Sequence, residues 1–224
     1  MFFLAYRFCM SNESQFISLL PLLTLFFVSL ISPGPDFAIT VKNSLVYSRR
    51  SGLLTALGIA TGCLFHISYT ILGIALLITK TPMLLKVIQY LGACYLFYIG
   101  YKGIKAQSHL GKINGTHARA DLKPIKAYSM GLFTNLLNPK LMLFCVSLFS
   151  VLIPKNISTT NKLLLALILF TETLLWFSFV AFSLSGKKMR AKFEAVSHWI
   201  ERITGVILIA LALRLLLSNL VVYN

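Results

Sequence analysis

Two stretches of the chain, residues 14–35 and 51–79, contain no Lys, Arg, Asp or Glu at all. Each exceeds the roughly 18 apolar residues that mark a membrane-crossing helix. Inside lipid every backbone N–H and C=O must find its partner within the protein, so a single such segment can cross only as a helix. Four more segments follow with one charge each: residues 81–101 with Lys86, 127–153 with Lys140, 163–186 with Glu172 and 203–222 with Arg214. The sequence therefore predicts an all-α polytopic membrane protein with six transmembrane helices.

Composition agrees: 57% of the 224 residues are hydrophobic and 12% are charged, about half the charged share of a soluble domain. A soluble helical core would need polar faces at helical spacing, and residues 51–79 have almost none. The 21 Lys and Arg against 6 acids give a net charge of +15, which suits nucleic acid only if the bases form a stripe with aromatics between them. They fall instead into short separate loops. Sorted by side, fourteen lie in the first, third and fifth loops and six on the opposite side. The positive-inside rule then places those three loops in the cytoplasm and both termini outside. Of the four cysteines, Cys63, Cys94 and Cys145 fall within spans without a CxxC pairing and read as small apolar filler, and Cys9 stands near the start. MFFLAYRFCM lacks the order of a signal peptide, so Met10 is a candidate true start.

A polar linker at 102–126 divides the chain into a first three-helix unit, 1–101, and a second, 127–224. Three crossings reverse the starting side, so the two units would be inverted repeats with broken first helices. The first helix of each carries a proline interruption: SPGPD at 32–36 and NLLNPK at 135–140. Proline removes an amide donor and clashes one turn back. Paired interruptions in corresponding helices of two halves point to a midplane binding site.

At the second break, Asn138 can act as N-cap and Pro139 as first residue of a new half-helix. Its positive end, with Lys140 beside it, suits a carboxylate; Lys140 can equally snorkel to a nearby interface. At the first, Asp36 can cap the half-helix expected to start near Phe37, or bind a cation, since a carboxylate at the bilayer centre costs roughly 2.5–3.5 kcal/mol and usually marks an ion or proton path. Asp36 at one break and Lys140 at the other would suit a zwitterion. Glu172 lies among thirteen Leu, Ile, Val and Phe residues between 163 and 182. At about 0.45 kcal/mol each these outweigh the acid's cost of about 3 kcal/mol, so the span inserts with Glu172 in it. It is either a proton-coupling carboxylate or a partner of Lys140 or a hydroxyl. Midspan His66 is either a proton relay or a hydrogen-bonded packing residue. Gly58 with Gly62, and Gly92 with Gly100, mark faces for close helix packing.

SPGPDF, GLLTALGIATGCLFH, LGACYLFYIGYKGIKA, GLFTNLLNPKLMLF and RITGVILIALALRLL, in that order, resemble the LysE/RhtB family of amino-acid exporters over nearly the whole chain. The resemblance implies secondary-active, proton-coupled efflux of amino acids or their derivatives from the bacterial cytoplasm across the inner membrane by alternating access. No cofactor and no enzymatic activity are implied. It assigns substrate handling to Pro33, Gly34, Pro35, Asp36, Asn135, Asn138, Pro139 and Lys140, with Glu172 and His66 as coupling candidates. Cys63 stands where the family often has an acid. The expected partners are a small zwitterionic metabolite and the lipid bilayer, with homo-oligomerisation left open. An inorganic or divalent-cation exporter would need more acids or a His/Cys cluster. A membrane thiol-redox enzyme would need paired reactive cysteines.

Overall fold

A computed structural model describes residue 17 and residues 19–105, 121–153, 157–183 and 187–221. Met10 and most of the 102–126 linker lie outside the described residues. The described residues form eight helices: α1 (Leu19–Ile31), α2 (Pro35–Val46), α3 (Arg49–Lys80), α4 (Pro82–Ile104), α5 (Pro124–Leu136), α6 (Pro139–Leu152), α7 (Thr159–Ser183) and α8 (Lys187–Val221). Four of them, α2, α4, α5 and α6, begin on a proline. Proline's fixed φ fits the first helical turn, where its missing amide has no intrahelical partner to lose.

The two motifs break helices as expected. α1 and α2 meet at 52°, and α5 and α6 at 54°. The glycine of the first break has φ −161° and ψ −170°, an extended conformation open to any residue, so Gly34 is not needed for left-handed backbone. Long apolar segments of α3, α7 and α8 are each able to cross a membrane by length and composition, and each bent pair adds one more, giving up to five spans. The sixth expected span is α4, a helix of 23 residues.

Both faces of α7 are apolar, yet they have different surroundings. Its buried residues recur every fourth position through Asn161, Leu165, Leu169, Thr173, Phe177 and Ala181. Leu163, Leu167, Leu175 and Phe179 point outward and are 59–68% exposed. Contiguous exposed apolar surface of this kind is what a lipid-facing helix requires.

The interior is assembled around α3, which packs against α2, α5, α6 and α7, while α4 lies along α8 and also meets α6. Ring contacts add α1 to the core: Phe27 meets Trp176 of α7 edge-on at 5.8 Å, and Phe26 meets Phe144 of α6 at 6.5 Å. Phe37 of α2 stacks on Phe193 of α8 at 4.8 Å.

Glycines set the closest approaches. A Cβ on Gly58 would strike the Tyr128 carbonyl of α5, and one on Gly131 would strike the Thr55 carbonyl of α3. Gly62 faces the Asn135 side chain. Gly92 and Gly100 do not share one packing face: Gly92 meets Ser147 of α6, whereas Gly100 meets Gly205 of α8. At the α4–α8 crossing a Cβ on Gly205 would lie 2.5 Å from the Gly100 carbonyl and 2.9 Å from the Ile104 amide. Backbone cannot swing aside as a side chain can. Gly205→Val is therefore expected to destabilise the fold by about 3 kcal/mol, measured as a lowered Tm and reduced recovery of monodisperse protein from detergent.

Candidate functional site

The two breaks meet in the interior. α2 begins at Pro35, two residues before Phe37, and Asp36 does not cap its own helix. Its buried carboxylate crosses to the other half of the chain, where Oδ2 accepts from Asn135 Nδ2 at 3.0 Å and from Asn138 Nδ2 at 2.9 Å. The other oxygen, Oδ1, is buried with no hydrogen-bond partner. A charge-assisted pair of donors on one oxygen and an empty second oxygen leave Asp36 half-satisfied.

Asn138 has two tasks. Its Nδ2 donates to Asp36, while its Oδ1 caps α6 by accepting from the Lys140 amide at 3.1 Å. Pro139 occupies the first helical position, as its sequence context predicts. Lys140 Nζ donates to Ser32 Oγ at 2.8 Å and to the Ser32 carbonyl at 3.5 Å. The ammonium thus reaches back across the first break, satisfying a carbonyl that α1 leaves open at its end. Gly34 has a Cβ position 3.8 Å from Lys140 Nζ.

Asn135 is held from a third helix. Its main-chain carbonyl accepts from the Asn138 amide at 2.9 Å and from His66 Nε2 at 3.0 Å. A carbonyl only accepts, so Nε2 carries the proton, and Nδ1 lies 2.6 Å from the Tyr69 hydroxyl. His66 is fully enclosed and braces the end of α5 against α3. It touches the site through Asn135, not directly. Glu172 stands apart: its Oε2 is buried without a hydrogen-bond partner, and it pairs neither with Lys140 nor with the cavity wall.

Between the breaks lies a cavity of about 380 Å³ including its open mouth, walled on the polar side by Ser29, Ser32, Gly34, Asp36, Asn138 and Lys140. The apolar part of the lining comes from Leu30, Phe37, Leu141, Phe144 and Phe177. Of the residues singled out by sequence, Gly34, Asp36, Asn138 and Lys140 line this space. Asn135 supports them from behind, and Pro33, Pro35 and Pro139 shape the breaks without lining it.

Sequence reasoning missed Ser32, which anchors Lys140, and the three phenylalanines. Ser32 belongs to the same SPGPD motif, so its hydroxyl was available as a signal; the phenylalanines look like ordinary core residues until the helices are folded.

No solved structure matches the chain. Curated proteins do. The threonine efflux protein of Escherichia coli strain K12 is 29% identical over 193 residues, covering 86% of this chain and 94% of its own. An uncharacterized membrane protein of Bacillus subtilis strain 168 is 32% identical over 208 residues, covering 90% and 99%. The leucine efflux protein of Enterobacter sp. strain 638 is 33% identical over 162 residues, covering 70% and 74%. The family model for the LysE type translocator matches residues 27–219, which contain both helix breaks and every residue of the cavity wall. The chain belongs to the LysE type translocator family.

Proposed function

We propose that this translocator exports amino acids or amino-acid derivatives from the bacterial cytoplasm across the inner membrane, by proton-coupled alternating access. One observation carries the reading: an acid from the first break and a lysine from the second line one cavity, whose lining also includes three phenylalanines. A zwitterion has an ammonium for Asp36, a carboxylate for Lys140 and a side chain for the phenylalanines. A bare divalent cation would meet the Lys140 charge in the same cavity, which disfavours it. The threonine and leucine efflux relatives support the amino-acid class.

In this reading α4 is the sixth span, at about 35 Å long ample for a hydrocarbon core of about 30 Å, and the chain is two inverted units, 1–101 and 127–224, joined by the 102–126 linker. The contacts support the repeat. Exchanging α1–α4 for α5–α8 turns α3–α5 into α7–α1, α2–α5 into α6–α1, α3–α6 into α7–α2 and α4–α6 into α8–α2, and each of these neighbours is present. The basic loops 1, 3 and 5 face the cytoplasm. Asp36 takes up the coupling proton, with Glu172 as a second carboxylate in the span and His66 holding the α5 end in register.

The test is export itself. Cells overproducing the chain are challenged with toxic amino-acid analogues and dipeptides, and amino acids are measured inside the cells and in the medium. At least one amino acid is expected to accumulate outside several-fold above the vector control, and its efflux should slow when the proton gradient is collapsed. Identical profiles with and without the protein would refute the assignment.

A further inference from the structure

On α2, the residues following Asp36 along the same face are Thr40 and Asn43, with Ser44 beside them; across from them on α3 are Ser51 and Thr55. All five are 0–5% exposed. Four are hydroxyls, and most fold back on their own helices: Thr40 Oγ1 donates to the Asp36 carbonyl, Ser44 Oγ to the Thr40 carbonyl and Thr55 Oγ1 to the Ser51 carbonyl, each at 2.8 Å. Two bonds cross between helices: Thr55 Oγ1 reaches the Ala127 carbonyl of α5 at 3.2 Å, and Asn43 donates from Nδ2 to Thr55 Oγ1 at 2.8 Å. Its Oδ1 is buried with no partner. An unpaired amide oxygen in a dry interior is a cost that packing does not repay.

The fold does not require this polarity. Aligning Pro35 with Pro139, the first residues of the two second half-helices, sets Thr40, Asn43 and Ser44 against Phe144, Ser147 and Leu148. The equivalent crossing is therefore built largely from apolar side chains on the other half. The polar row also ends at a tight closure. Gly52 of α3 meets Ser44 of α2, and Gly58 and Gly131 bring the α3 and α5 backbones into contact. Met130 of α5 also reaches in, its Sδ 4.0 Å from Asn43 Nδ2, and separating α2 and α5 from α3 would expose the polar row to water.

We infer that Thr40, Asn43, Ser44, Ser51 and Thr55 line the cytoplasmic loading route by which a small hydrated zwitterion reaches Asp36, and that this route is closed in the present conformation. The inference rests on the exporter reading and its sidedness. Neutral hydroxyls and an amide can solvate an ammonium and a carboxylate in turn without holding either, as a passage must; the orphan Asn43 Oδ1 gains a partner only when the route is open and wet.

The test uses the full chain with Cys9, Cys63, Cys94 and Cys145 replaced by Ala. Thr40→Cys, Ser44→Cys and Thr55→Cys are introduced singly, and labelling by a charged, membrane-impermeant maleimide is timed in inside-out and right-side-out vesicles. Labelling at least tenfold faster in inside-out vesicles is expected at all three, with Leu148→Cys not sharing that preference. Labelling from neither face, or equally from both, at the variants that insert would overturn the route. Because the three positions lie on two helices, one that fails to insert does not remove the test. Separately, Asn43→Leu is expected to keep or raise thermal stability while export per inserted molecule falls at least tenfold; lowered stability with unchanged export per molecule would make Asn43 a packing residue. The labelling needs no substrate. If no amino acid is exported yet the one-sided labelling holds, the substrate class fails and the route stands; if L-threonine is exported and the labelling is symmetric, the reverse is true.

Discussion

Asp36→Asn is expected to reduce initial export by about 100-fold while the protein still inserts and folds. An asparagine carbonyl in place of Oδ2 can accept the same two bonds from Asn135 and Asn138, so the tie between the two helix breaks survives. What disappears is the negative charge and the free acceptor at Oδ1, the part of the residue that nothing in the protein uses. A hydrogen bond to a charged group is worth roughly 1.5–3 kcal/mol, and 3 kcal/mol is a factor of about 150 in binding; losing the proton-accepting carboxylate adds to this. Export rate normalised to the amount of inserted protein is the measurement, with thermal stability as its control. A rate within twofold of wild type would remove Asp36 from substrate handling.

Lys140→Met should bring a loss of similar size with a different chemical signature. Methionine keeps an unbranched side chain of similar length along the path from α6 toward Ser32, so packing is largely conserved, but the ammonium and its bonds to the Ser32 hydroxyl and carbonyl are gone. Burying a methionine costs less than burying a lysine, so stability should not fall. Transport of a substrate with a carboxylate should drop about 100-fold. Transport of the corresponding amine, which lacks the carboxylate, should change little. Equal losses for both compounds would mean that Lys140 supports the helix breaks rather than recognising the substrate's acid.

The legible parts of this architecture are those decided locally. Pro35 and Pro139 open half-helices because proline's geometry suits a first turn, and Asn138 caps α6 because its side chain reaches the free Lys140 amide two residues on; both follow from neighbours in sequence. The partners of Asp36 were not legible. Asn135 and Asn138 lie 99 and 102 residues away, and only the crossing of the two bent pairs brings them together. Locally, an acid at the start of a helix looks like a cap, and the competition between that bond and the cross-chain one is settled by tertiary packing. The glycines show the same division. Gly58 and Gly100 could be read as points of close approach, but nothing in their spacing tells that one meets α5 and the other α8. His66 is similar: its burial was foreseeable, its bond to the Asn135 carbonyl was not.

The cavity is lined by Asp36 and Lys140, of opposite charge, and by the rings of Phe37, Phe144 and Phe177. Asp36 and Lys140 each follow the proline that opens their half-helix, so the second residues of α2 and α6 carry opposite charge. A guest held by ammonium and carboxylate alone could still present either hand, because two attachment points fix a line and not a configuration. The aromatic rings would supply the third point. It is there, and not at the charges, that such a site would distinguish an L-amino acid from its mirror image.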